Sequence, residues 1–246
     1  MEMNGVQLCA RFSLATNRLR YCGPEDADSI LYQTVVKATD TGAARTALEK
    51  FEALLPYLEA IARKHGLDPF DRDVVEAYWV GNELLEGFTK DEFRAILGQF
   101  TDRGLPRSVA ERLGGSLPPR PIPHHAFHVT FVGVGAVSGK VSTTIDNMER
   151  CRPSCGRVVE VSGTDVTLEK PSLALADGRL VIGPPQLHRT TIDPNVIPEV
   201  CAGDTLALHW GWPALLLDST QRSNLEKYTY RALEAANSTF RMLRLL

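Results

Sequence analysis

With 246 residues, 43% of them hydrophobic and 23% charged, the sequence has an ordinary soluble composition and the length of one large domain or two small ones. A net charge of −3 gives no electrostatic reason to expect nucleic acid or an anionic membrane as partner, and no apolar run approaches the ~18 residues of a membrane span. No basic region followed by an apolar stretch opens the chain, so a cytoplasmic protein is expected; there, five cysteines, an odd number, are read as buried, catalytic or metal-binding thiols rather than a disulfide framework.

Residues 1–23 read as irregular, with Arg11, Arg18 and Arg20 interleaved among Phe12, Leu14 and Leu19. After the Gly23-Pro24 turn a helix is expected, with Ile30, Leu31, Thr34 and Val35 on one face. Leu48, Phe51, Leu55, Leu58 and Ala62 step by three and four and predict a second helix, stopped at Gly66. A third runs from Asp71 to Gly81. A fourth opens with the capping box Thr89-Lys90-Asp91-Glu92, and a short fifth spans Pro106 to Leu113. Residues 1–115 therefore read as a helical domain.

Gly114 to Pro123 carries prolines at 118, 119, 121 and 123, which excludes helix, and 116–123 reads as a stiff linker. Beyond it the period falls to two. Strands are expected at His125–Val132, Arg157–Val161, Asp165–Leu168, Leu173–Leu175, Arg179–Ile182, Thr205–His209 and Ala214–Leu217, with a tight hairpin at Asp177-Gly178. Many short strands with turns between them suggest a small closed barrel. Asp218-Ser-Thr-Gln221 then starts a last helix with Leu225, Tyr228, Ala232, Leu233 and Ala236 inward. The fold class is α+β: a helical bundle, then a barrel domain over 124–246 with a C-terminal helix.

Two stretches carry chemistry. Cys151-Arg-Pro-Ser-Cys155-Gly156 places two thiols before the strand Arg157–Val161, and Gly203-Asp204 opens a strand that ends at His209, followed by Trp210-Gly211-Trp212. A thiolate and an imidazole at two strand ends would make half of a transition-metal site, with Trp210 and Trp212 lining any bound group. The Cys-x-x-x-Cys spacing, with no second pair, does not fit a closed structural zinc site, and Cys155 also reads as a small buried apolar residue. His124, His125 and His128 fall within five residues. On a strand, His124 and His128 would stand roughly 13 Å apart, so His125 with an imidazole from another strand is the easier ligand pair. Otherwise the three are half-buried strand residues. Cys22, close to a helix start, is a further ligand candidate or a turn-packing residue.

Cys151 through Val161 resembles the start of the HypC/HupF chaperones of [NiFe]-hydrogenase maturation, in which a Cys stands five residues before a Gly that opens a strand of the form Gly-Arg/Lys-Val-Val-Glu. Here Gly156-Arg157-Val158-Val159-Glu160 follows Cys151. The family's later Gly-Asp, apolar strand, His-Ala-Gly, apolar strand and polar-started helix are matched in order by Gly203-Asp204, His209-Trp210-Gly211, Ala214–Leu217 and Asp218–Tyr228. The resemblance covers roughly residues 148–235. It implies an OB-like barrel, iron held by Cys151 and His209, and a maturation scaffold or hydrogenase large-subunit precursor as partner. The chain departs from that family in its internal Cys, in Cys155 where the family has Pro, in the two tryptophans and in the preceding helices. A metal-dependent enzyme of the non-haem iron type, with its site between helices and barrel, is the alternative expectation.

Overall fold

A computed structural model describes residues 3–37 and 41–243. Its first element overturns one expectation: residues 5–18 are helix α1 (Gly5–Arg18), not irregular chain. Asn4 and Gln7 cap each other at its start. The helix buries Leu8, Cys9, Phe12 and Leu14 together with Ser13 and Asn17, while Gln7, Arg11 and Arg18, spaced by four and seven, mark its less buried side. Arg11 is half-buried because its guanidinium donates to the carbonyls of Val196 at 2.8 Å and Ala214 at 3.4 Å, which ties α1 to the second half of the chain.

Helix α2 (Ala27–Lys37) follows as expected, with Leu31, Thr34 and Val35 buried. The single helix expected across 48–62 is two, α3 (Thr41–Leu48) and α4 (Leu55–His65), because Pro56 suits only a helix's first turn. Gly66 ends α4 in the left-handed region, at φ 70°. Helix α5 (Arg72–Trp79) is capped by Asp71, α6 (Lys90–Thr101) by the Thr89–Glu92 box, and α7 (Arg107–Gly115) follows Pro106.

The segment 116–123 does not hang between two bodies. Leu117, Pro118 and residues 121–123 are buried. One apolar core also runs through both halves of the chain, from Leu8, Tyr57 and Phe93 to Val158, Leu206 and Ala214.

The expected strand 125–132 is helical. A single turn, α8 (His125–Phe127), passes into a π-helix (His128–Gly133). Residues 121–134 are buried throughout, so there is no exposed face for a true two-residue alternation to display. The spacing that matters is i,i+4: Phe127 stacks on Phe131 at 4.9 Å, and the Thr130 hydroxyl donates to the Ala126 carbonyl at 2.8 Å. A π-helix within a helical run is frequently found at a functional site. Helix α9 (Ile145–Cys151), capped by Thr144, then delivers Cys151 on its last turn.

The strands are β1 (Ser154–Ser162), β2 (Asp165–Ala176), β3 (Arg179–Thr191), β4 (Thr205–His209) and β5 (Trp212–Leu216), paired antiparallel in the order β3-β2-β1-β4-β5. The sheet is not the closed barrel expected: no ladder joins β3 to β5 among the described residues. Pro184 and Pro185 deny β3 two backbone donors, which suits an edge strand. The two edges are bridged only locally, where the Thr190 hydroxyl donates to the Gly211 carbonyl at 2.9 Å. Asp177-Gly178, both at positive φ, makes the expected tight hairpin. Trp210-Gly211, at φ 52° and 75°, makes a second one, which fixes His209 as the last residue of β4. Helix α10 (Ser219–Leu243) is capped by Asp218 and Gln221 and buries Leu225, Tyr228, Ala232, Leu233 and Ala236 as expected.

Candidate metal centre

Three elements distant in sequence converge beneath α1 and α5. The last turn of α9 brings Cys151, the α8 turn brings His125, and the end of β4 brings His209. One ligand atom from each lies within 4.8 Å of the other two, and all three residues are buried, His209 to 1% exposure. The Cys151 Sγ is 3.6 Å from His125 Nε2, and the two imidazole rings meet edge to face at 5.2 Å.

The hydrogen bonds fix which nitrogen is available. His209 Nδ1 is 2.6 Å from the Phe12 carbonyl oxygen, which can only accept, so Nδ1 carries the proton and Nε2 presents its lone pair. That Nε2 is buried and makes no hydrogen bond of good geometry among the described residues, although the Cys151 backbone approaches the ring. A buried nitrogen so poorly satisfied costs about 1–3 kcal/mol, a cost that a metal ion would remove. His125 Nδ1 meets the Tyr78 hydroxyl, which can donate or accept, at 2.7 Å, and this orients the ring so that Nε2 faces the sulfur. Outer partners of this kind are the usual means of orienting a metal-binding imidazole.

The surroundings are aromatic and dry. Trp79 packs against both imidazoles, at 4.4 Å from His125 and 5.0 Å from His209, and is backed by Phe12 at 5.0 Å. Burial pushes the Cys151 thiol well above its ordinary range and holds His209 down at about 4 and His125 well below its usual value. Without an ion the centre is therefore a neutral thiol beside two neutral imidazoles, and binding a cation would expel the thiol proton. One thiolate and two imidazoles, with no fourth ligand in the group among the described residues, suit a borderline or soft transition metal that keeps a coordination position open.

The other candidates are placed as follows. His128 is 6.0 Å from His125 ring to ring, but its Nδ1 meets the Tyr57 hydroxyl at 3.2 Å, and it is not part of the cluster. His124 caps α8, accepting from the Ala126 N–H at 3.1 Å, and stacks on Tyr228. Cys155 lies on β1 and lines a separate pocket with Ser154 and Thr229. Cys22 follows α1 as a half-buried residue whose thiol desolvation, then Glu52, pushes up to about 12; it is outside the cluster. Trp210 packs on Tyr21 at 4.7 Å and its indole approaches the Cys151 sulfur without full hydrogen-bond geometry, whereas Trp212 lies under the Arg18 guanidinium.

Phe12, Tyr78 and Trp79 were not legible as parts of a site. The spacing of Tyr78 and Trp79 announces a buried helix face, Phe12 falls in a stretch that reads as irregular, and nothing in either says that these side chains cover imidazoles.

The chain belongs to DUF6390, a family of unknown function. The family model matches residues 1–242, so the helices and the sheet are parts of one family unit. No curated protein and no solved structure matches the chain. Among the described residues, no helix is long and apolar enough to cross a membrane.

The Tyr78 hydroxyl gives a direct test of the outer shell. Tyr78→Phe should keep one metal equivalent per chain but weaken its affinity about 10- to 100-fold, measured by competition with a chelator of known strength. An unchanged affinity would remove Tyr78 from the centre.

Proposed function

We propose that this is a metal-handling protein that holds one transition-metal ion, iron in the cell, between Cys151, His125 and His209. The observation that carries the reading is the convergence of one thiol and two correctly oriented imidazoles in a buried aromatic setting. By the resemblance of residues 148–235 to the HypC/HupF chaperones, the role is that of a cytoplasmic accessory protein in [NiFe]-hydrogenase maturation. Its partner is then a maturation scaffold or large-subunit precursor, and its five-stranded sheet an opened relative of their OB-like barrel. His125 adds a third ligand to the Cys and His that the resemblance implies.

One observation favours a second reading, a resident metal centre in an enzyme. The three ligands are buried, and a cargo ion must be able to leave. The experiment that separates them uses anaerobically iron-loaded protein. A carrier releases its iron to an added hydrogenase precursor, and does so only when Cys151 is present. A resident centre keeps its iron through dialysis and in the presence of the precursor. Protein that takes up no iron, and whose Cys151→Ala variant captures the precursor as well as the parent does, contradicts the carrier role.

A further inference from the structure

A second cluster of buried charge lies one residue beyond Cys151 and plays no part in holding the metal. Arg152 is 4% exposed and Lys170 6%. Both bond to a single carboxylate, Glu149. Arg152 donates to it through Nε at 2.9 Å and Nη2 at 2.7 Å, Lys170 donates through Nζ, and the Leu173 N–H donates at 2.7 Å. Glu149 is thereby saturated. Two buried cations face one carboxylate, and a buried charge without a counter-charge is strongly unfavourable.

Beside this cluster lies a pocket of about 180 Å³, lined by Arg152, Ser154, Cys155, Ile182, Thr229 and Glu226 among others. Glu226 does not supply the missing charge, because it pairs with Arg222 at 3.0 Å. Nε and Nη2 of Arg152 are spent on Glu149 and the Pro171 carbonyl. The pocket thus has a buried guanidinium in its wall, one surplus positive charge behind it, and hydroxyls from Ser154 and Thr229.

We propose that this pocket binds a small carboxylate-type monoanion against Arg152. The volume is that of about six water molecules in the liquid, so formate and acetate both fit and serve as probes. The single surplus charge selects a monoanion, and a carboxylate has a second oxygen to accept from the Ser154 or Thr229 hydroxyl while the first accepts from Arg152. The site is separate from the metal cluster, and its test involves no metal.

The test is a titration of the full-length, metal-free chain with sodium formate and with sodium acetate, against sodium chloride at equal ionic strength, followed by thermal unfolding and calorimetry. A saturable rise in Tm with formate or acetate, absent with chloride, is expected. Arg152→Met should weaken the response at least tenfold. Ile182→Phe fills the pocket and leaves every charge in place; it should do the same, and it decides the matter if the arginine variant does not fold. A parent chain whose Tm responds identically and without saturation to all three salts overturns the proposal, as does an Ile182→Phe variant that binds as the parent does.

Discussion

Cys151→Ala protein takes up no metal under conditions in which the parent chain binds one equivalent. The thiolate is the only anionic ligand in the cluster, so its loss removes the charge attraction together with one bond. Losing an outer partner alone costs about 10- to 100-fold in affinity, and a direct ligand must exceed that range. The fold should survive. The substitution deletes one sulfur among Met148, Leu173 and Leu233, a truncation of about 1–2 kcal/mol, so far-ultraviolet circular dichroism should be unchanged. His209→Ala should also abolish binding but is the less clean variant. It opens the larger cavity and removes the second donor to the Phe12 carbonyl, which keeps its place in α1. A Cys151→Ala chain that binds metal with the parent's affinity would falsify the assignment.

The metal-free chain should be acid-labile far above the pH at which carboxylates titrate. Burial holds His124 at about 3, His128 and His209 at about 4, and His125 well below its usual value. In the unfolded chain each returns to roughly 6.5. The folded values are depressed, so between about pH 6.5 and 4 the unfolded state binds more protons than the folded state. Stability is therefore complete above about 6.5 and is lost as pH falls through that window. At pH 5 the penalty is about 2 kcal/mol for each imidazole. Four of them together would cancel much of the roughly 5–15 kcal/mol typical of a folded domain. Glu149 acts in the same direction at lower pH. Burial alone would raise its pKa, but Arg152 and Lys170 outweigh that and hold it below the ordinary value. Urea midpoints measured on metal-free protein at pH 7.5, 6 and 5 should fall steeply, and a constant midpoint would mean that the imidazoles are hydrated in the folded state. Bound metal competes with protons for His125 and His209, so loading should move the loss to lower pH.

Much of the architecture could be read from local signals because those signals are themselves local. The Thr89–Glu92 box, Gly66, Asp177-Gly178 and the Asp218–Gln221 start each satisfy backbone groups within a few residues, and each is where the sequence places it. The errors fall where burial is heaviest. Residues 125–133 have no exposed face to reveal a period, so they read as a strand, and in α1 the polar Ser13 and Asn17 fall on the buried side and blur the contrast with Gln7, Arg11 and Arg18. Sheet closure also escaped, since it depends on whether β3 and β5 pair, which no local pattern encodes.

The centre was half legible. Cys151 and His209 were singled out, and His125 was favoured as the partner of an imidazole from another strand. On a helical turn His124 and His125 point in different directions, so His124 meets Tyr228; His128, three residues on, shares the face of His125 with its ring 6.0 Å away, but its Nδ1 is taken by Tyr57. Phe12, Tyr78 and Trp79 complete the site through tertiary packing alone.

X-ray absorption at the metal edge of the loaded chain tests the central claim most directly, with iron or with zinc as a probe. The account predicts one sulfur and two imidazole nitrogens around the ion, with zinc distances near 2.3 Å and 2.0 Å respectively. The sulfur shell should vanish in Cys151→Ala. A shell of nitrogen and oxygen only, the same in parent and variant, would contradict it.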